Sequence, residues 1–256
     1  MVNRFLKYFY VFAVYLLLYV PLLVTLIFSF NNSEAAEVWN GFSVRWYEQL
    51  LADKSLINSA LRSLFLATAA ATCSTVIGTI IAIALHRYRF IGQKVVYGSL
   101  SVIMLSPEII QGISLLVIFV VLGFPLGFPT LLLSHTAFCF PFVTITILAR
   151  LKGVSRDLAE AAVDLGASDL DTVRFILIPL IIPAVFAGWL MSFTLSIDDV
   201  MINFFVSGKN YEILPLKIYS MVRTGIQPNV NALCAVMFFI TFFVVIFSYY
   251  LVRSKK

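Results

Sequence analysis

Apolar residues crowd into six stretches of this chain, at about 8–30, 57–85, 95–122, 130–150, 181–203 and 232–252. Each is long enough to cross a bilayer as a helix, which takes about 20 residues. None alternates polar and apolar positions with a period of two, so the spans are not strands of a membrane barrel. Backbone facing lipid has to satisfy its own hydrogen bonds, which makes six helices the expectation. The first stretch follows Arg4 and Lys7, as a signal sequence would, but Tyr8 to Phe30 is 23 residues. That is roughly 34 Å of helix at about 1.5 Å per residue. Signal cores run only about 7–15 residues, so the pattern predicts a retained first span.

One polar passage interrupts the second half, over residues 151–180, and it predicts two short helices. In the first, Ser155 is placed to cap and Asp157 sits in the first turn, near the positive helix end. Leu158, Ala161, Ala162 and Leu165 recur at helical spacing, and Gly166 stands where a terminating glycine belongs. In the second, Ser168 and Asp171 make a capping-box pattern, with Leu170, Val173 and Leu177 as the apolar stripe. Pro179 and Pro183 mark the passage into the next span. Two readings fit this hairpin: a structured loop lying in the interface, or a docking knob whose alanines at 159, 161 and 162 allow close approach.

Composition agrees with the pattern. The chain has 256 residues, of which 61% are hydrophobic and 12% charged; soluble domains carry about 25% charged residues. The fold class is therefore all-α, a polytopic membrane protein, with residues 1–256 forming one transmembrane domain. The net charge of +5 follows basic inner loops better than nucleic-acid binding. With the N-terminus inside, twelve of the eighteen lysines and arginines fall in inner segments and six in outer ones, which predicts both termini cytoplasmic. Cys73, Cys139 and Cys234 lie in apolar runs with neither disulfide nor metal spacing.

The hairpin matches the signature loop "EAA-x3-G-x9-I-x-L-P" at Glu160, Ala161, Ala162, Gly166, Ile176 and Pro179, with Ile178 in place of the usual leucine. It thereby resembles the permease subunits of bacterial ABC importers. The stretches "GFSVRWYEQLL", "ALHRYRFIGQ", "SPEIIQGISLLV", "SFTLSIDDV" and "YEILPLKIYSMV" extend the resemblance along nearly the whole chain, to spermidine/putrescine importer permeases of the PotC type. The resemblance implies a MetI-like permease architecture in a bacterial inner membrane. It further implies a second homologous permease, two ATPase subunits below and an extracytoplasmic polyamine-binding protein above. Residues 151–180 would be the coupling loop, with Glu160, Ala161, Ala162, Gly166 and Asp169 contacting an ATPase. Asp169 is alternatively a simple helix-end charge. The chain carries no phosphate loop, no H-E-x-x-H and no G-x-S-x-G, so no cofactor is expected in it and ATP–Mg belongs to the partner ATPase.

Three acids stand in apolar runs: Glu108, Asp198 and Asp199. An ionisable group at mid-bilayer costs about 2.5–3.5 kcal/mol on insertion scales, so such residues are kept for a reason. Counting helix rise places Glu108 about 20 Å and Asp198 about 25 Å across, in the outer part of the membrane. They are either acids hydrated at the interface or a negative lining for a polycation. Asp198 is the better candidate of its pair to face the pathway, because neighbours on a helix point about 100° apart. Pro107 breaks the helix just before Glu108, as discontinuous helices do in transporters, and Ser196 adds a hydroxyl. Trp46 is either a cation-binding face or an interfacial anchor. His86 and His135 read as structural, without a metal partner at useful spacing.

The leading function is a non-catalytic permease of an ATP-driven polyamine importer. The alternatives are the same machine for putrescine alone or another cation, an ion-gradient transporter, and a membrane enzyme. The last two lack, respectively, an inverted repeat and a catalytic cluster in this sequence.

Overall fold

A computed structural model of the chain describes residues 4–33, 38–154, 158, 161–162, 164–209, 211–224 and 228–253. Among these, the regular elements are helices, and Asn31 and Phe42 form an isolated β-bridge. The helices are α1 (Arg4–Phe28), α2 (Arg45–Ala52), α3 (Lys54–Arg87), α4 (Gln93–Leu105), α5 (Glu108–Val121) and α6 (Phe128–Lys152). They are followed by α7 (Asp169–Asp198), α8 (Met201–Val206), α9 (Leu214–Thr224) and α10 (Pro228–Arg253).

Four of them, α1, α3, α6 and α7, are long and apolar enough to cross a membrane. The third expected span is two helices, α4 and α5, bent by 110° at Ser106 and Pro107. Both break residues are extended, at ψ 136° and 134°. Pro107 accounts for the first of these, since proline biases the residue before it out of the helical region. In α10 the apolar stretch found among the described residues is Asn229–Phe243, shorter than a full span.

The polar passage after α6 also differs from its expectation. Leu158, Ala161, Ala162 and Asp164 are helical, and the segment ends at Gly166 with φ +88°. The amide of Ala167 donates to Ala162 O at 2.9 Å, the long bond that closes a helix through a left-handed glycine. Ser155, Asp157, Ala159 and Glu160 lie outside the described residues. Ser168 caps the next helix as its sequence says, accepting from Asp171 N at 3.2 Å while Asp171 Oδ2 accepts from Ser168 N at 3.3 Å. That helix is not a separate short element. It passes through a π-helical turn at Thr172–Leu177 straight into α7. The prolines explain the widened turn: Pro179 has no N–H for the carbonyl four residues back, at Phe175, and its ring pushes that carbonyl aside. Leu170 is exposed, whereas Leu177 is buried.

The chain divides into two compact units. In the unit of residues 1–58 and 217–256, α1 and α2 pack against α10. Nearly every large apolar side chain described on α1 is exposed, Tyr8, Phe12, Leu17 and Leu18 among them. In the unit of residues 59–216, α6 is the central helix, packed on α7, α4, α8 and α5. One core cluster gathers Ala82, Leu85, Leu100, Val143, Ile147, Leu148, Leu151, Leu177 and Ile181. A second gathers Leu66, Phe119, Leu131, Phe138, Cys139, Ile202, Val206 and Ile213. Small residues permit the close crossings. A Cβ added to Gly78 of α3 would meet Val143 Cβ at 2.9 Å, and one on Gly188 of α7 would meet Val143 Cγ1 at 3.0 Å. Val143 is thus wedged between two glycines, the small-residue packing that lets membrane helices touch without a hydrophobic driving force.

Candidate functional site

Two interrupted helices build the polar centre of the larger unit. The first break, at Ser106–Pro107, puts Glu108 in the opening turn of α5. The carbonyls it frees are taken up by Gln111, whose Nε2 donates to Ile103 O at 2.8 Å and Ser106 O at 3.0 Å. The second break separates α7 from α8 at Asp199, whose backbone is extended at φ −67° and ψ 127°. The two breaks are held together by another glycine: a Cβ on Gly112 of α5 would lie 2.7 Å from Phe205 and 3.3 Å from the Ile202 Cα of α8. Glu108 consequently lies within electrostatic reach of both Asp198 and Asp199.

The two adjacent aspartates have separate surroundings. Asp198 is exposed and Asp199 is 5% exposed. The Asp199 carboxylate accepts from the amides of Ile202 at 3.3 Å and Asn203 at 3.1 Å, which satisfies the start of α8. Ser196 is also buried, its hydroxyl 2.7 Å from His135 Nδ1. His135, fully buried on α6, reaches Asn203 Oδ1 with Nε2 at 2.7 Å. Asn203 Nδ2 donates to the Asp199 carbonyl, which turns Oδ1 toward the imidazole. Nε2 therefore carries the proton, and Nδ1 accepts from Ser196. His135 Nε2 stands 3.6 Å from Asp199 Oδ2. Ser196, His135, Asn203 and Asp199 thus make one continuous polar chain joining α6, α7 and α8.

Of the acids and hydroxyl read from the sequence, Glu108 and Asp198 present free faces, while Ser196 and Asp199 are spent inside the protein. Two exposed carboxylates at breaks in apolar helices offer charge where a cation would otherwise find none. Asn203 and His135 complete the network, and the sequence reading gave Asn203 no role. Its signal is present, however: Ser196, Asp199 and Asn203 are three and then four residues apart, a one-face spacing of polar groups in an apolar run. Gln111, which seals the α5 break, likewise carries no role in the sequence pattern. Among the described residues no group of three His, Cys, Asp or Glu is arranged to hold a metal.

Asp169, at the start of α7, pairs with Arg87 at the end of α3. The Arg87 side chain is largely buried and that of Asp169 is 66% exposed. Ala162 is buried, Ala161 exposed, and Gly166 has open space around its α-carbon.

Trp46 belongs to the other unit. Its indole is 6% exposed, and Nε1 donates to Asn31 O at 2.6 Å. Asn31 ties the described part of the segment between α1 and α2: its side chain donates to Val38 O at 2.7 Å and accepts from Asn40 N at 2.9 Å. The Arg45 guanidinium stands 4.7 Å from the centre of the Trp46 ring, so one indole face already carries a cation.

Residues 74–256 match the family described as binding-protein-dependent transport system inner membrane component. The chain is 48% identical to the spermidine/putrescine transport system permease protein PotC of Escherichia coli strain K12, over 255 residues that cover 100% of this chain and 97% of the relative. It is 39% identical to the putrescine transport system permease protein PotI of the same strain, over 93% of this chain and 88% of the relative. Among solved structures, a bacterial ABC transporter involved in the import of the acidic polysaccharide alginate superimposes with a TM-score of 0.69 at 20% identity, over 99% of this chain and 98% of that one. The inward-facing MetNI methionine ABC transporter does so with a TM-score of 0.67 at 18% identity, over 78% and 96%. At such identities the likeness speaks for the fold alone.

Proposed function

Because the chain belongs to the family of binding-protein-dependent transport system inner membrane components, we propose that it is the permease subunit of an ATP-driven polyamine importer, taking spermidine or putrescine across a bacterial inner membrane. The whole chain, 1–256, acts as one permease domain with six spans and both termini cytoplasmic. It works with a second homologous permease, two ATPase subunits and an extracytoplasmic polyamine-binding protein. The chain itself is non-catalytic, and ATP–Mg is bound by the ATPases. Residues 151–180 form the coupling loop, with Glu160, Ala161, Ala162 and Gly166 in the ATPase contact. The left-handed Gly166 favours this by turning the chain sharply after the helix. Asp169 contributes through its tie to Arg87, which links the loop to the end of α3.

The observation that carries the substrate class is the convergence of Glu108 and Asp198, both exposed, at two helix breaks packed on each other. A polyamine is a flexible chain of ammonium groups, and separate carboxylates along a path bind it weakly and in succession. Weak binding suits transport, because a tight site would hinder release. Ser196 and Asp199 shape this lining from behind, and Trp46 steadies the outer loop that meets the delivery protein. The test is uptake of labelled spermidine and putrescine by the reconstituted complex. ATP-dependent uptake of either is expected. ATP-independent uptake driven by an ion gradient, or ATP-dependent uptake of neither, would overturn the reading.

A further inference from the structure

We infer that His135 is a positioning residue, which through Ser196 and Asn203 sets the break between α7 and α8 and so aims Asp198. The groups that make this case are all buried: His135 and Asn203 are 0% exposed, Ser196 3% and Asp199 5%. Four polar side chains in an apolar interior are costly unless each is satisfied; here Ser196, His135 and Asn203 satisfy one another, and the amides of Ile202 and Asn203 satisfy Asp199. The imidazole is the only member from α6, the helix about which this unit packs. One ring nitrogen holds the last turn of α7 through Ser196, and the other holds the first turn of α8 through Asn203. Between those two anchors the chain has only Ile197 to Ile202, with its extended residue at Asp199. Asp198 is therefore pinned from both sides by a ring that it does not touch. Ser196 and Asp199 then act on transport by holding this corner, not by meeting substrate. The role of Asp198 in transport rests on the proposed function above; the positioning itself does not.

Two measurements separate the two ideas. The first replaces Cys73, Cys139 and Cys234 by alanine, introduces Asp198→Cys, and follows its labelling by a cationic thiol reagent in the assembled complex. Adding His135→Phe is expected to change the labelling rate by about fivefold or more, since a small displacement in a packed site has large effects. Ser196→Ala, which removes a single hydrogen bond and is compatible with folding, is expected to change it in the same direction. His135→Gln, whose amide offers both a donor group and an acceptor, should lie closer to the parent. Unchanged rates in both His135→Phe and Ser196→Ala would overturn the inference; if His135→Phe does not assemble, Ser196→Ala decides alone. The second measurement is labelled spermidine uptake. Ser196→Ala is expected to lower it about tenfold, with no further loss when combined with Asp198→Asn, the non-additivity of coupled residues. Multiplying losses would show that the corner acts independently of Asp198 and would overturn the inference. Normal uptake in Asp198→Asn alone, with the labelling shift intact, would overturn the pathway role of Asp198 and leave the positioning standing.

Discussion

Neighbouring aspartates can do unlike work because a helix ends between them. Asp198 belongs to the last turn of α7 and is exposed, while Asp199 is extended and turns its carboxylate onto the amides of Ile202 and Asn203. Their substitutions are expected to separate. Asp198→Asn should lower polyamine uptake and leave thermal stability of the purified complex unchanged. Asp199→Leu leaves two buried amides without an acceptor, each worth about 1–3 kcal/mol, and should lower the melting temperature. A melting temperature unaffected by Asp199→Leu would contradict the capping role. Trp46 shows the same division between what a residue type offers and what its surroundings leave free. Its N–H and one ring face are already engaged by Asn31 and Arg45.

Helix interruptions and small residues decide how the elements meet. Pro107 announces its break in the sequence, because it removes a donor and excludes helical geometry before it. The Asp199 break carries no proline; the Asp199 carboxylate takes up two of the freed amides locally, and His135 of α6 anchors the Asn203 side chain beyond it. The crossing of α3, α6 and α7 depends on Val143 between Gly78 and Gly188. Gly78→Ala is expected to destabilise the protein by about 1–3 kcal/mol, the usual cost of overpacking. Val143→Ala removes Cγ1, which stands equally close at 2.9 Å, and should recover part of that loss when combined with it, although it leaves a cavity by itself. Thermal unfolding of the single and double variants checks this, and additive losses would contradict the wedge. The expected pair of short helices before α7 survives only in part, since the capping box at Ser168 opens a helix that nothing afterwards stops. A π turn absorbs Pro179, which with Pro183 marks a boundary by sequence.

At the scale of the whole molecule, the distribution of charge and greasy surface governs placement in the membrane. The described part of α1 hides almost none of its apolar side chains, so lipid or a partner subunit must cover it. The bias of lysine and arginine toward the alternate loops predicts both termini inside. A reporter active only in the cytoplasm, fused after residue 256, is expected to be active, and an export-dependent reporter at the same place inactive. The opposite pattern would invert the topology and place the loop at 151–180 on the wrong side for an ATPase.

The sequence alone determined whatever depends on near neighbours and on solvent. Apolar length marked out long helices, Pro107 set a break, and Gly166 and Ser168 with Asp171 set the ends of two segments. These are local properties, since propensity, capping and burial in lipid act over one or two turns. Only the tertiary structure decided which polar residues were free to act. His135 meets Ser196 and Asn203 across 61 and 68 positions, and Arg87 meets Asp169 across 82. The spacing of Ser196, Asp199 and Asn203 marks polar groups in an apolar run, but nothing in it says which distant residue they meet. Those pairings arise because helices brought together by apolar packing must also satisfy every polar group they enclose. That requirement took Ser196 and Asp199 into the interior and left Asp198 and Glu108 facing out.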